Sequence, residues 1–170
     1  FTSDNGYYYG EHGLSVERRL PYEEAVRIPF LIRFPQLAPA GVRINQFVQS
    51  IDIAPTVLDL ADASIGLHVQ GQSLIPLLMG AKQNWRKSIL IEFTSYEKPM
   101  PWLVDASYKI IRKGKYKYIH WIHHKNSDEL YDLETDPYEL DNLVNTPQMK
   151  LTVQELKREL GQLVSTASGL

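Results

Sequence analysis

Two oxygen-bearing side chains, those of Asp4 and Asn5, stand near the start of the chain and are followed directly by Gly6. The residues before them, from Phe1, are typical of a strand end that runs into a polar loop. Carboxylate and amide oxygens are ligands that Ca²⁺ and Mg²⁺ prefer, and open α/β sheets bind ligands beyond the carboxyl ends of their strands. The pair has the chemistry of a divalent-cation site, but taken alone it favours an Asx turn closed by glycine.

A polar stretch after this pair carries His12, Arg18 and Arg19. A histidine can act as an acid or a base near neutral pH or contact an anion, and a guanidinium donates a planar fork of hydrogen bonds to an oxyanion. A lone loop histidine is more often simply solvated, and the two arginines alone are typical of a solvated charge cluster with Glu17, Glu23 and Glu24. It is their combination on one polar stretch after a strand that indicates a site.

A second group of titratable side chains lies in the second half of the chain, at His120, His123, His124, Asp128 and Glu129. We favour histidines that line a cleft or lie on the surface over a metal site, because His120 falls inside a predicted strand and the acids lie beyond a turn. The acidic run at 128–143 lacks the central glycine of an EF-hand loop. Its apolar residues look like anchors, so we interpret it as a structural loop.

Composition excludes several classes of function. The chain has 170 residues, 18 Lys+Arg against 20 Asp+Glu, a net charge of -2 and no cysteine. A charge this near zero gives no general case for binding nucleic acid or an anionic membrane, and no apolar run reaches the ~20 residues of a membrane span. Disulfides, a cysteine-based zinc site and a cysteine nucleophile are excluded within these residues.

The elements that must position these residues change character near residue 85. Before it, the apolar run at 28–34 predicts a strand buried on both faces. A helix is predicted after it, with Asp52 as its cap and Ile53, Val57, Leu58 and Ala61 on one face, and a short helix near 71–80. After residue 85, a strand at 88–93 and a hairpin of 108–112 with 116–121 predict an antiparallel sheet with one wet face. An amphipathic helix begins at Thr146 and Pro147.

Six short segments, in this order along the chain, resemble the C-terminal half of the type I sulfatases of the alkaline-phosphatase-like superfamily. They are Thr2-Ser3-Asp4-Asn5-Gly6, Gly10-Glu11-His12-Gly13, Tyr22-Glu23-Glu24 with Arg27-Ile28-Pro29, Asp52-Ile53-Ala54-Pro55-Thr56, Gly71-Gln72-Ser73-Leu74, and Glu129-Leu130-Tyr131-Asp132-Leu133 with Asp136-Pro137. The residues at 4–7 and 116–119 look most like the branch that acts on sulfated sugars, including glucosamine-6-sulfatases.

The resemblance implies a fold, two domains and roles for residues. The fold would be α/β: the C-terminal part of an alkaline-phosphatase-like sandwich at 1–84, then a small antiparallel sheet with one C-terminal helix at 85–170. Asp4 and Asn5 would help to hold one cation, Ca²⁺ or Mg²⁺. Arg18, four residues before Tyr22, would contact the sulfate where the family usually has lysine, and His12 would lie near this site.

The resemblance also implies parts that this sequence lacks. The family's nucleophile is a formylglycine made in a Cys/Ser-x-Pro-x-Arg motif, which occurs nowhere in these residues. The upstream acidic metal ligands, lysine and histidine are missing too. We therefore expect a C-terminal fragment of a longer enzyme that hydrolyses aryl or carbohydrate sulfates, and we expect the fragment alone to be inactive.

Two alternatives stay open. A phosphodiesterase or phosphonate hydrolase of the same superfamily shares the fold and would differ in its upstream nucleophile. A non-catalytic module that binds sulfated glycans would use Trp102 and Trp121 with lysines of the hairpin: Lys109, Lys113, Lys115 and Lys117. Because a fragment leaves strand edges and apolar faces uncovered, we expect the isolated chain to self-associate. The absence of cysteine and of glycosylation sequons favours a bacterial source, in the periplasm or the cytoplasm.

Overall fold

The computed structural model of the chain describes residues 1–14, 18–81, 85–95 and 105–169. These residues form two compact units, which we treat separately. Unit 1 contains residues 1–4 and 29–87, and unit 2 contains residues 5–28 and 88–170. The predicted division into a sandwich part at 1–84 and a small domain at 85–170 stays a prediction. Glu17 and Trp102 lie outside the described residues.

Unit 1 is built on a 3₁₀ turn and two short helices. The turn at Ser50–Asp52 leads into α2 (Ile53–Leu60), and α3 follows at Ile75–Leu78. The apolar face predicted for α2 is not its buried face, since Val57 is 58% exposed and Pro55 and Thr56 are buried. Thr56 decides the orientation, because its hydroxyl donates to the carbonyl of Asp52 and accepts the amide of Leu74.

The prediction that residues 28–34 form a strand buried on both faces is wrong. Phe30 pairs with Thr2 in an isolated antiparallel bridge. Leu31 and Ile32 are 61% and 41% exposed. A strand is buried by neighbours on both edges and by layers on both faces, and the described part of unit 1 gives this run a single bridge.

Asp52 is the polar centre of unit 1 rather than the cap of α2. Its buried carboxylate forms a bidentate pair with Arg86, both N···O distances being 2.7 Å. It also accepts the amides of Gln49 and Gln72, at 2.8 and 2.9 Å. No amide of the first turn of α2 donates a hydrogen bond to this side chain. One carboxylate therefore ties together three chain segments.

Unit 2 is an antiparallel sheet of four strands in the order β1-β2-β3-β4. The strands are β1 (Ser88–Phe93), β2 (Tyr108–Lys113), β3 (Tyr116–Trp121) and β4 (Glu129–Asp132), and the helices are α1 (Glu23–Val26) and α4 (Lys150–Ala167). The predicted hairpin is confirmed, with Ile110 opposite Ile119. The predicted acidic loop contains β4, whose residue Leu130 lies opposite Tyr118.

Both faces of this sheet are covered, so the prediction of one wet face is wrong. On one face, Ile111 and Tyr118 pack with the α4 residues Val153, Leu156 and Leu160, which confirms the predicted amphipathic helix. On the other face, a cluster of Tyr108, Ile110, Ile119 and Tyr131 is joined by Tyr22 and Val26. Residues 5–28 thus supply the second layer, which the alternation of apolar and basic residues in the hairpin does not reveal.

None of the helices in the described ranges combines the length and the apolar character needed to cross a lipid bilayer.

Candidate functional site

The two predicted cation ligands follow the short bridge of unit 1. Asp4 is exposed and is the last residue of that segment of unit 1, while Asn5 is partly buried and begins unit 2. The side-chain nitrogen Nδ2 of Asn5 donates to the backbone carbonyl of Gly6 at 2.6 Å. The amide oxygen is therefore the atom that can bind a hard cation.

The donor types fit Ca²⁺ or Mg²⁺, but the number of donors does not complete a site. A calcium ion takes about six to eight oxygens. Within the described residues, no three His, Cys, Asp or Glu side chains converge to hold a metal ion. Asp4 and Asn5 can therefore supply only part of a coordination shell.

Gly6 fixes the position of the loop that carries Asn5. Its amide donates to the carbonyl of Ala25 in α1 at 2.8 Å. A Cβ atom added at Gly6 would lie 1.8 Å from the carbonyl oxygen of Glu24. Only glycine allows this close approach of two backbones, so the loop lies directly against α1.

His12 is held in place rather than loosely solvated. It lies in the 3₁₀ turn Glu11–Gly13 with φ at 55°, in the left-handed region, which few residues other than glycine adopt. Its ring stacks on Tyr22, with the centroids 4.1 Å apart and the planes at 15°. Its Nε2 atom lies 3.4 Å from the carboxylate of Glu24, and its side chain is 12% exposed. His12 therefore faces Glu24 through Nε2.

Tyr8 holds the segment that contains Tyr22, the residue on which His12 stacks. It is fully buried, and its hydroxyl accepts the amide of Tyr22 and donates to the carbonyl of Leu20, at 3.2 and 3.1 Å. Burial raises the pKa of Tyr8, so the hydroxyl remains protonated and keeps both hydrogen bonds. Tyr8 therefore fixes the residue on which His12 stacks.

The structure thus brings His12, Glu24 and Tyr22 together and leaves Arg18 as an exposed residue of the preceding loop. The role of Arg18 stays a prediction. The sequence does not predict Glu24 and Tyr22 as partners of His12. The signal for them was the Tyr-Glu-Glu motif, but nothing in that motif tells which side chain faces the histidine.

The second predicted group is a hydrogen-bonded cluster on unit 2. The carboxylate of Asp128 meets Nδ1 of His120 at 2.9 Å, the ammonium of Lys157 at 3.0 Å and the hydroxyl of Tyr118 at 2.5 Å. Burial alone would raise the pKa of Asp128, but the hydrogen bonds from Tyr118, Lys157 and His120 outweigh it and lower that pKa. His123 and His124 are exposed.

The hairpin lysines that a glycan-binding module would use already have carboxylate partners. Lys109 pairs with Glu92 at 2.9 Å, and Lys115 pairs with Asp132 at 2.6 Å. Lys113 contacts two glutamates of α4, and Lys117 is buried with two others. These pairs leave no array of uncommitted cations along the described hairpin, so the structure does not favour the module.

Comparisons with known proteins agree with the resemblance. The family described as N-sulphoglucosamine sulphohydrolase, C-terminal, matches residues 10–166. The chain is 34% identical over 167 residues to an N-acetylglucosamine-6-O-sulfatase of Bacteroides thetaiotaomicron, covering 96% of this chain and 28% of that protein. It is 32% identical over 163 residues to an arylsulfatase of Clostridium perfringens, covering 94% of this chain and 32% of that protein.

Solved structures share this fold. One was solved with its substrate D-glucosamine-2-N,6-O-disulfate; it has a TM-score of 0.82 at 31% identity, over 98% of this chain and 33% of that one. A phosphonate monoester hydrolase of Agrobacterium radiobacter has a TM-score of 0.86 at 25% identity, over 98% of this chain and 34% of that one.

The predicted α/β class is confirmed, and the chain spans about a third of the length of these relatives. It belongs to the N-sulphoglucosamine sulphohydrolase C-terminal family, the C-terminal segment of sulfatases.

Proposed function

We propose that this chain is part of a sulfatase that hydrolyses sulfate esters of sugars with the help of a divalent cation. The similarity over nearly its whole length to an N-acetylglucosamine-6-O-sulfatase supports this proposal. The observation that carries it in the structure is that α1 holds two candidate site elements at once. The Asn5–Gly6 loop binds the carbonyl of Ala25, and His12 faces Glu24.

Each candidate residue has a task that suits its chemistry. Asp4 and Asn5 would hold part of the cation site, and a bound cation would offset the negative charge of the sulfate oxygens. The guanidinium of Arg18 would bind a sulfate oxygen through charge-assisted hydrogen bonds. With Nε2 directed at Glu24, His12 would hold or move a proton at Nδ1.

The nucleophile and the remaining metal ligands would come from the rest of the protein. The sequence contains no Cys/Ser-x-Pro-x-Arg motif, in which formylglycine forms. The 170-residue chain should therefore show no turnover of an aryl sulfate, with or without Ca²⁺. Clear, metal-dependent hydrolysis by the purified chain would contradict this division of labour.

The role of Arg18 is tested in the complete protein, with the neighbouring Arg19 as the matched control. Arg18→Ala should lower kcat/KM for N-acetylglucosamine-6-sulfate by about 100-fold, the usual effect of removing a group that stabilises transition-state charge. Arg19→Ala should change it by no more than a few-fold. Equal effects of the two substitutions would remove Arg18 from the sulfate site.

Phosphonate ester hydrolysis is the second candidate, since a phosphonate monoester hydrolase shares this fold at 25% identity. A guanidinium and a divalent cation serve a phosphonate oxygen as well as a sulfate oxygen. The two functions separate in a direct comparison of the complete protein on both ester classes. Preference for the phosphonate ester would favour the second candidate.

A further inference from the structure

Lys117 of β3 is a fully buried cation in unit 2. Its ammonium lies 2.7 Å from Oε1 of Glu139 and 3.2 Å from Oε1 of Glu23. The Nε atom of Arg112 approaches the same oxygen of Glu23 at 3.8 Å. A buried ammonium is tolerated only when it is closely paired, so two cations and two carboxylates form one balanced cluster.

Glu139 links this cluster to the start of α1. Its Oε1 atom faces Lys117, while its Oε2 atom accepts the backbone amide of Glu23 at 2.6 Å. Its side chain is 0% exposed and its φ is 53°, in the left-handed region. A strained residue of this kind persists where its surroundings determine its conformation. The loop after β4 thus delivers a carboxylate to the first turn of α1.

The helix α1 needs this carboxylate because it has little stability of its own. It contains four residues, and Tyr22 at its N-cap supplies no side-chain hydrogen bond. So short a helix is not stable alone, and its first amides need an acceptor. Glu139 supplies that acceptor from 116 residues away in the chain.

The same helix contacts two elements of the candidate site. The carbonyl of Ala25 holds the amide of Gly6, next to Asn5. The carboxylate of Glu24 lies 3.4 Å from Nε2 of His12. A displacement of α1 would therefore move both elements.

We infer that Lys117 and Glu139 are positioning residues for the candidate site: through α1, they fix the Asn5–Gly6 loop and the ring of His12. Their importance for catalysis rests on the proposed function. The positional coupling itself is measurable in the chain without any activity.

The test is amide hydrogen exchange of the 170-residue chain by NMR, with Lys117→Met as the variant. The quantity measured is the protection of the Gly6 amide relative to the slowest amides of β2 and β3. This ratio should fall at least about tenfold in the variant. The substitution removes the charge-assisted hydrogen bond of Lys117 to Glu23, at the start of α1, and its ion pair with Glu139. The matched control is Lys113→Met, which removes the ion pairs of a partly buried lysine with Glu155 and Glu159 and should leave the ratio unchanged.

A second pair of variants decides the case if Lys117→Met does not fold. Glu139→Gln keeps an oxygen that can accept the amide of Glu23, whereas Glu139→Leu does not. The ring-proton shifts of His12, which depend on its stacking with Tyr22, should stay near the parent values in the first variant. They should move towards those of an unstacked histidine in the second.

A uniform loss of protection at Gly6 and in the sheet would show a role in stability alone and overturn the inference. So would an unchanged ratio in Lys117→Met, or equal ring shifts for His12 in the two Glu139 variants. A complete protein without sulfatase activity would refute the proposed function, and the Gly6 ratio would still decide this inference.

Discussion

Replacing Asp52 by asparagine tests whether one buried ion pair holds unit 1 together. The substitution Asp52→Asn keeps the shape of the side chain and removes its charge. Both guanidinium contacts of Arg86, at 2.7 Å each, lose their carboxylate. One amide oxygen remains for two backbone donors, those of Gln49 and Gln72. At least one buried donor is left without an acceptor.

The magnitude separates this account from the simpler one in which Asp52 caps a helix. Loss of a helix cap costs about 1 kcal/mol. Removal of one partner from a buried ion pair costs about 3–5 kcal/mol. Asp52 is 0% exposed and the side chain of Arg86 is 13% exposed, so the larger figure applies. It is a large share of the ~5–15 kcal/mol that stabilises a typical domain.

Urea unfolding followed by the fluorescence of Trp85 reports on unit 1, because its ring lies 5.0 Å from the guanidinium carbon of Arg86. Replacing the other two tryptophans by phenylalanine makes this signal specific. Asp59→Asn is the matched control, since Asp59 lies in α2, which follows the turn that contains Asp52, and accepts a hydrogen bond from Ser73 at the surface. The control should cost less than about 1 kcal/mol. A cost for Asp52→Asn equal to that of the control would refute the reasoning.

Three further predictions concern unit 2 and the whole chain. Gly6→Ala should destabilise the loop against α1, because the added Cβ would meet the carbonyl oxygen of Glu24 at 1.8 Å. Gly161→Ala, in the open part of α4, should be neutral or stabilising. Hydrogen exchange at residues 5–28 should therefore become faster in the first variant and not in the second. The pKa of Asp128 is lowered on folding, so its contribution to stability is complete above its unfolded pKa of ~3.9 and is lost as the pH falls through the folded value. The drop in urea midpoint between pH 6 and pH 3 should therefore shrink in Lys157→Met. Sedimentation at tens of micromolar, a range in which exposed apolar surface drives association, should show dimers or larger species, and a clean monomer would contradict the expected self-association.

The sheet and the last helix could be predicted from the sequence because their patterns are local. The strand at Ser88–Phe93 and the hairpin follow from alternating side chains, and α4 follows from its apolar stripe. The second covered face could not be predicted, because its cover comes from residues 5–28, far away in the chain. Lys117 illustrates the difficulty. Its place in a hairpin rich in lysine predicts a surface residue, yet it is fully buried.

The candidate site was predictable in its residue types but not in its contacts. Resemblance pointed to Asp4, Asn5 and Arg18, whose roles stay predictions. The sequence singles out His12 but not its partner Glu24, because which of two adjacent glutamates faces the histidine depends on how α1 is anchored. That anchor is Glu139, and no pattern in the sequence links two residues 116 positions apart.

The most direct test of the account is a comparison of kcat/KM for N-acetylglucosamine-6-sulfate and for a phosphonate monoester in the complete protein, with Ca²⁺ present. We expect clear preference for the sulfate ester and loss of that activity when the cation is chelated. Preference for the phosphonate ester, or sulfate release that is indifferent to chelation, would contradict it.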